Sequence, residues 1–320
     1  MSIIQREPDL SIIIPFYHGL KYLPRLINSL VNSLESSGCS FFVEIIVIID
    51  SPDTEIAQVR SLIEPLLPPN GQAALHILKN ERNLGVAMTR NVGKGIATGK
   101  YITFIDQDDY VDADYFKALQ RDLSDKYDFF LLNGLLIYET NNFKRAIFLY
   151  RYRITFDIIA KSNFLITPGI MVMNRRSVTH DFRQVSIKRA GSDDWAFYLE
   201  LLSGEPKKYK YIMDPLFYYV VHEHNFHHSK LNFLLSQIRT IQHFQKADPG
   251  NFTLKIKVLS LKFRLKLNLS MISWKNLTKS DVAGFFSLVF IELSSINNII
   301  WLFLLRRSKR GTTPAPADGV

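Results

Sequence analysis

Five aspartates, Asp106, Asp108, Asp109, Asp112 and Asp114, crowd into the stretch FIDQDDYVDADYF at 104–116. Carboxylates packed this closely repel one another unless a cation, a proton or a helix N-terminus compensates them. Asp112 and Asp114 stand at the start of a helical pattern at 113–124 and are expected to cap it. Capping does not account for Asp106, Asp108 and Asp109 at the end of an apolar run. An EF-hand loop starting at Asp106 would need an acid or amide, a glycine and a glutamate where Tyr110, Val111 and Lys117 stand, which excludes that calcium site. An aspartyl-nucleophile phosphatase also follows a strand with Asp-x-Asp, with Asp106 as nucleophile, but usually after its first strand and without Tyr110. The remaining compensator is a hard divalent cation, Mn²⁺ or Mg²⁺. Such an ion takes one or two carboxylates and completes its shell from a substrate diphosphate.

A second acidic pair, Asp193 and Asp194, opens the helical segment GSDDWAFYLELL at 191–202. The histidine-rich stretch HEHNFHH at 222–228 fails as a zinc-protease motif because Phe226 stands where the second histidine is required. The glycines of GKGIATG (93–99) fail as a dinucleotide fingerprint. They close a helix and precede a strand, whereas the fingerprint follows a strand and opens a helix; Gly99 reads as a helix stop.

These residues need a scaffold. Residues 10–16, 43–49, 75–79 and 101–105 are short apolar runs rich in β-branched side chains. Helical spacing fills 20–36, 53–66 and 84–98. Alternation of this kind predicts an α/β fold, a mostly parallel central sheet flanked by helices, Rossmann-like. Ligands bind such sheets at the carboxyl ends of the strands, so the loops PFYHG, DSPDT and DQDD are expected to line one cleft. Beyond 125 the pattern predicts strands at 127–137 and 145–154, a helix at 191–202, one or two strands at 209–221 and a helix at 229–247. LSLKFRLKLNL at 259–269 alternates as a strand would.

One cysteine, Cys39, allows no disulfide within the chain and fits a reducing, cytoplasmic setting. MSIIQREPDL lacks the basic start of a signal peptide. The net charge of +9 is concentrated at the end of the chain: residues 251–320 hold 11 Lys/Arg against 3 Asp/Glu, whereas 1–250 hold 28 against 27. Glu292 divides the apolar stretch 282–305 into uncharged runs of 10 and 13 residues, each too short to span a bilayer. Val282, Phe286, Val289, Leu293, Ile296, Ile300 and Phe303 instead form one helical stripe, with Ser287, Ser294 and Asn298 largely opposite and RRSKR following. This pattern predicts a C-terminal extension lying on the anionic inner face of the cell membrane through residues 255–310. Docking of the stripe on the rest of the chain or on a second copy is the alternative. Stacking aromatics are not interleaved with the cations, so nucleic acid is not an expected partner. The expected domains are 1–228 for the site, 229–310 for the extension and 311–320 as a disordered tail.

SIIIPFY, VIIDSPDT, NLGVAMTRNVGKGIATGKYITFIDQDD and GSDDWAF, in that order, resemble the family 2 glycosyltransferases with the A-type nucleotide-sugar fold. The resemblance covers about 9–225 and is densest over 83–109. It implies an inverting, metal-dependent transfer of a sugar from a nucleotide donor, with UDP favoured, to a hydroxyl of a glycan or lipid-linked acceptor in surface polysaccharide synthesis. By the same resemblance Pro15, Phe16 and Tyr17 wall the base, Asp50 accepts from it, and Gln107 belongs to the donor site. Arg90 would approach the diphosphate, with an ion pair inside the acidic cleft as the alternative. Asp106 would contact ribose or metal-bound water, and Asp108 the metal. The second acid of the pair, Asp194, would be the general base beside Asp193. PLFYYVVHEHN resembles the passage leading to a histidine that closes over the diphosphate or metal, which is His222 here. The chain departs from the family at Ile49 and Ser51, where an acid and a glycine are usual. A catalytically silent nucleotide-sugar-binding or scaffold protein is the reading from another class.

Overall fold

The computed structural model describes residues 7–38, 40–141, 143–148, 151–187, 191–222, 229–269 and 278–291. The chain divides into two compact units: Met1–Arg151 with Phe164–Phe233, and Tyr152–Asn163 with Leu234–Val320. Compactness thus places the boundary a few residues past 228 and assigns 152–163 to the second unit.

In the first unit β1 (Leu10–Phe16), β2 (Val43–Ile49), β3 (Ala73–Lys79) and β4 (Tyr101–Phe104) form a parallel block in the order β3-β2-β1-β4. Every residue of β1, β2 and β4 is buried. This is why their sequences run apolar without alternation: helices cover both faces. Three crossover helices connect them, α1 (Leu23–Ser37), α2 (Ile56–Ile63) and α3 (Val86–Ile96). α1 starts with proline in its first turn and stops at Gly38, whose φ of 58° is left-handed. α2 is shorter than its sequence pattern suggests, because a 3-10 turn carrying Pro65 follows directly at Glu64–Leu66. β1 lies between β2 and β4, so the chain leaves it in opposite directions on its two sides. That is the switch point at which such sheets open a crevice.

Beyond β4 the sheet becomes mixed. β5 (Tyr110–Val111), α4 (Tyr115–Asp122), β6 (Phe129–Tyr138), β7 (Phe143–Ala146), α5 (Phe156–Lys161), β8 (Met171–Asn174), α6 (Asp193–Leu202) and β9 (Tyr209–Val221) follow in sequence. Strand order continues β4-β8-β6-β9-β5, with β7 paired to β6 outside this path. β8 is antiparallel to β4 and to β6, while β9 runs parallel to β6. β5 pairs antiparallel with Phe217 and Tyr218 of β9, three strands away from β4. Only the acidic turn joins β4 to β5, so the sheet curls into a half-barrel to bring its far edge back. Gly134 permits the curl at a register shift in β6, where a Cβ would lie 1.9 Å from the carbonyl oxygen of Phe217.

Three local expectations are corrected here. The strand expected over 145–154 ends at Ala146, because the bulged Asn133 turns its Oδ1 to accept the Phe148 N–H and terminates the ladder. Asp114 holds the N-cap position of α4, but neither its side chain nor that of Asp112 makes a capping hydrogen bond to the helix. Asp112 accepts from the Tyr218 hydroxyl and the Asp114 N–H, while Ser33 Oγ in α1 accepts the Phe116 N–H. Gly99 is not a left-handed helix stop either. Its Cβ would fall 2.6 Å from the Ser11 backbone nitrogen, so close approach to β1 selects glycine.

In the second unit α5 packs near α8 (Phe252–Asn268), and Phe156 meets Phe244 of α7 (Lys230–Ala247) edge-on at 5.6 Å. The alternating stretch 259–269 lies largely within α8 and is helical. Asn251 caps that helix by accepting the Leu254 N–H, and Leu254, Val258 and Leu261 give it a helix-spaced buried stripe. Its leucines, lysines and arginine are good helix formers, and propensity prevails over the alternation. Residues 279–291 are also helical. Among the described residues no helix is long and apolar enough to cross a membrane.

Candidate active site

The carboxyl ends of β1, β2 and β4 deliver Tyr17, Asp50 and the acidic turn to one side of the sheet, as the strand pattern requires. Pro15 and Phe16 are buried at that end of β1. At these positions β1 pairs with β2 alone, the ladder to β4 ending at Ile13, and of the three residues only Tyr17 keeps exposed surface. Gln107 ties the two loops together. Its Oε1 accepts the Tyr17 N–H and its Nε2 donates to the Tyr17 carbonyl, both at 2.9 Å. Gly19 lies under the same side chain, where a Cβ would come within 2.1 Å of it.

Asp50 is buried and accepts three hydrogen bonds. Oδ1 accepts from Asn80 Nδ2 and the Leu84 N–H, both at 2.8 Å, and Oδ2 accepts the Gly85 N–H at 2.9 Å. It therefore fixes the turn into α3, in which Gly85 adopts a φ of 82°. Asn80 also donates to Thr89 on that helix, extending the network.

One face of α3 carries Arg90, only 2% exposed, into the centre of the site. Nη2 donates to Asp106 Oδ1 at 2.7 Å and Nη1 to Asp194 Oδ1 at 2.5 Å, while the Phe182 ring lies 5.2 Å from the guanidinium carbon. Burial opposes this positive charge, but the two carboxylates outweigh it and raise the arginine further above its ordinary range. Of the two readings for Arg90, the ion pair inside the acidic cleft describes its position. It joins the end of β4 to the first turn of α6.

Asp193 and Asp194, adjacent in sequence, have different environments. Asp193 is buried and its Oδ1 accepts the Val185 and Ser186 N–H groups, so it anchors the segment leading into α6. Asp194 faces Arg90 and the acidic turn. Burial pushes its pKa up to about 6, with Arg90 pulling the other way and Asp106 and Asp193 adding to the rise. Trp195 is buried and offers no stacking face. The Tyr198 hydroxyl, one turn along α6, is buried without a hydrogen-bond partner among the described residues.

Within the turn itself, Asp108 Oδ2 lies 2.7 Å from His222 Nε2 just past the end of β9. Arg25 Nη2 donates to the Asp108 carbonyl at 2.5 Å, and the ring of Tyr22 stacks on His222 at 5.1 Å. Asp109 is buried, accepts the Val220 N–H through Oδ1, and leaves Oδ2 without a partner among the described residues. Burial, then the charges of Asp108 and Asp106, raise its pKa well above the ordinary carboxylate range. The structure thus brings Asp106, Asp194 and Arg90 together, and separately Asp108 and His222. Among the described residues no three His, Cys, Asp or Glu side chains are gathered closely enough to hold a metal alone. The roles of Arg25, Tyr22 and Asn80 carry no local sequence signal: each acts on a partner tens of residues away.

The half-barrel sheet, its switch-point cleft and the acidic turn at the end of β4 are the fold of the A-type glycosyltransferases. Residues 11–182 match the family model described as glycosyl transferase family 2, and the chain belongs to that family. It is 24% identical over 115 residues to glycosyltransferase GlyA of Streptococcus pneumoniae, a stretch covering 36% of this chain and 15% of that protein. The match therefore spans well under two thirds of that relative's length. Among solved structures, S. aureus TarS 1-349 in complex with UDP-GlcNAc superposes with a TM-score of 0.57 at 17% identity, over 88% of this chain and 80% of that one. Mannosyltransferase PcManGT from Pyrobaculum calidifontis, in complex with GDP-Man and Mn²⁺, gives 0.51 at 11% identity, over 95% and 81%. Both likenesses concern the fold. Membership of the family removes the aspartyl-nucleophile phosphatase as an alternative.

Proposed function

We propose that the chain is an inverting glycosyltransferase that moves a sugar from a nucleoside diphosphate, with uridine as the base, to a hydroxyl of a glycan or lipid-linked acceptor. The observation that carries this reading is the pair of bonds from Arg90, whose two terminal nitrogens hold Asp194 and Asp106 on one buried cation. Asp194 Oδ1 is in that ion pair, which leaves Oδ2 to receive the acceptor hydroxyl proton. A carboxylate raised to about 6 is matched to that task near neutral pH, being ionised yet basic. The acceptor oxygen then attacks the anomeric carbon from the face opposite the leaving diphosphate, and the configuration inverts.

A divalent cation fits the donor set of Asp108 and His222, an oxygen and a nitrogen held at hydrogen-bond distance, with the diphosphate completing the shell. Asp106 contributes less directly, since its Oδ1 is committed to Arg90. When bound, Mn²⁺ or Mg²⁺ would offset charge building on the departing nucleoside diphosphate. The solved complexes of TarS with UDP-GlcNAc and of PcManGT with GDP-Man and Mn²⁺ are consistent with a donor and a metal of these classes.

The test is transfer by Asp194→Asn measured beside nucleotide-sugar binding. A general base accounts for about 10²–10⁴-fold in rate, so turnover should fall by that order while donor affinity persists. Binding without transfer in the wild-type chain would favour the silent, scaffold reading, and unchanged turnover in the variant would remove Asp194 from the mechanism.

A further inference from the structure

The helix at 279–291 presents its large apolar side chains to solvent. Within the second unit it packs against α8 mainly through small and polar residues, and the ring of Phe285, although partly exposed, meets Phe263 edge-on at 6.0 Å. Gly284 lies against Phe263, where a Cβ would fall 2.8 Å from the phenylalanine Cβ, Asp281 pairs with Lys266, and Ser287 and Ile291 are buried. The opposite face carries Val282, Phe285, Phe286, Val289 and Phe290, each more than a third exposed, with Phe286 reaching 64%. At 3.6 residues per turn these five fall within an arc of roughly 140°. Exposed Lys279 projects from the same arc at the start of the helix.

Of the expected stripe, Val282, Phe286 and Val289 face outward and Ser287, expected opposite, lies on the packed side; Leu293, Ile296, Ile300 and Phe303, with Ser294 and Asn298, lie outside the described residues. Three exposed phenylalanines within six residues exceed the scattered apolar exposure of an ordinary surface. Their occupant must be apolar at its centre and negative at its margin. Residues 251–320 carry 11 basic against 3 acidic side chains, Lys262 and Lys279 are exposed on the two packed helices, and RRSKR lies at 306–310. We propose that this face is a docking surface for an anionic lipid bilayer. The phenylalanines enter the boundary between headgroups and acyl chains, and the flanking lysines meet the lipid phosphates. The inference rests on the second unit alone and stands whatever donor or metal the first unit takes.

The test is co-sedimentation of the full chain with vesicles of phosphatidylcholine, with and without phosphatidylglycerol, comparing wild type with Phe286→Ser/Phe290→Ser. The wild type should pellet with anionic vesicles, and less so at high salt. The double variant should partition at least about tenfold more weakly, since it removes two inserted aromatic side chains, with an unchanged melting temperature because both are exposed. If the double variant melts early, Phe286→Ser alone is the comparison, with a smaller loss expected. Failure of the wild type to bind anionic vesicles, or equal pelleting of a folded variant, overturns the proposal. A wild-type dimer that the variant breaks, with vesicles left unbound, would overturn it in favour of a second copy.

Discussion

Arg90 and Asp194 stand 104 residues apart in sequence and 2.5 Å apart in the structure. The guanidinium thereby holds the carboxylate in place and lowers its proton affinity against the larger effect of burial. As the proposed general base Asp194 must be ionised to accept a proton, so kcat/KM should fall about tenfold per pH unit below its pKa of about 6. Arg90 lowers that value, against the larger effect of burial. Arg90→Gln should therefore move the acidic limb to higher pH as well as slow turnover, and a pH–rate profile would detect it. A limb that stays in place would mean that Arg90 acts only as packing.

Asp50 gives a different expectation. Its three accepted hydrogen bonds hold the turn into α3, and through that helix Arg90. Asp50→Asn can keep only part of this set, because one acceptor oxygen becomes a donor facing an N–H. The folded state should lose about 1–3 kcal/mol, read as a lower denaturant midpoint, with donor affinity reduced in parallel. If affinity fell while the midpoint stayed put, Asp50 would be a ligand contact and not a brace.

The parts of the site differ in how far they could be read from the chain. β1, β2 and β4 are buried throughout, so their apolar runs placed them closely, and the acidic turn and the helix opening at Asp193 follow from strand-end and helix-start rules. The proposed division of labour between Asp193 and Asp194 came from the resemblance; their environments, which no local pattern records, differ, one carboxylate accepting from the backbone at 185–186 and the other facing Arg90. Other features could not be read in this way. Ser33 caps a helix 83 residues away, and Asn133 ends a strand because the sheet bulges there. A local pattern does not record a partner supplied by the curl of the sheet. The strand pattern at 259–269 misled for a related reason, since alternating leucines also furnish a helix that has its own cap and buried stripe.

Gln107 lies between Asp106 and Asp108, yet its amide is spent on both backbone groups of Tyr17. It sets the gap between the loops after β1 and β4. Gln107→Glu replaces the donor to the Tyr17 carbonyl with a carboxylate oxygen, in a turn that already holds three acids. The variant should bind donor more weakly and lose about 1–2 kcal/mol of stability. Gln107→Ala should lose less, lacking the repulsion. Calorimetric binding and denaturant melts on the two variants give the order, and the reverse order would show that side-chain volume matters more than the paired bonds.

Glu44 tests the opposite end of the sheet, away from chemistry. It is buried in β2, where Oε1 accepts from Ser11 Oγ, the Thr98 N–H and hydroxyl, and the Gly99 N–H. Burial alone would raise its pKa, but these bonds outweigh burial and hold it below the ordinary glutamate value of 4.5. A carboxyl group depressed in the folded state contributes stability that is present above its unfolded pKa and is lost as pH falls through the folded one. Glu44→Gln keeps an acceptor but gives up the charge that strengthens four hydrogen bonds. It should cost about 1–3 kcal/mol at pH 7, and the gap from wild type should close as both are taken below the folded pKa. Turnover per folded molecule should be unchanged, because the bonds of Glu44 fix the loop between α3 and β4 at the amino end of β4, whereas Asp106 and Asp108 follow its carboxyl end. A penalty independent of pH would show that Glu44 stabilises the sheet by shape and not by charge.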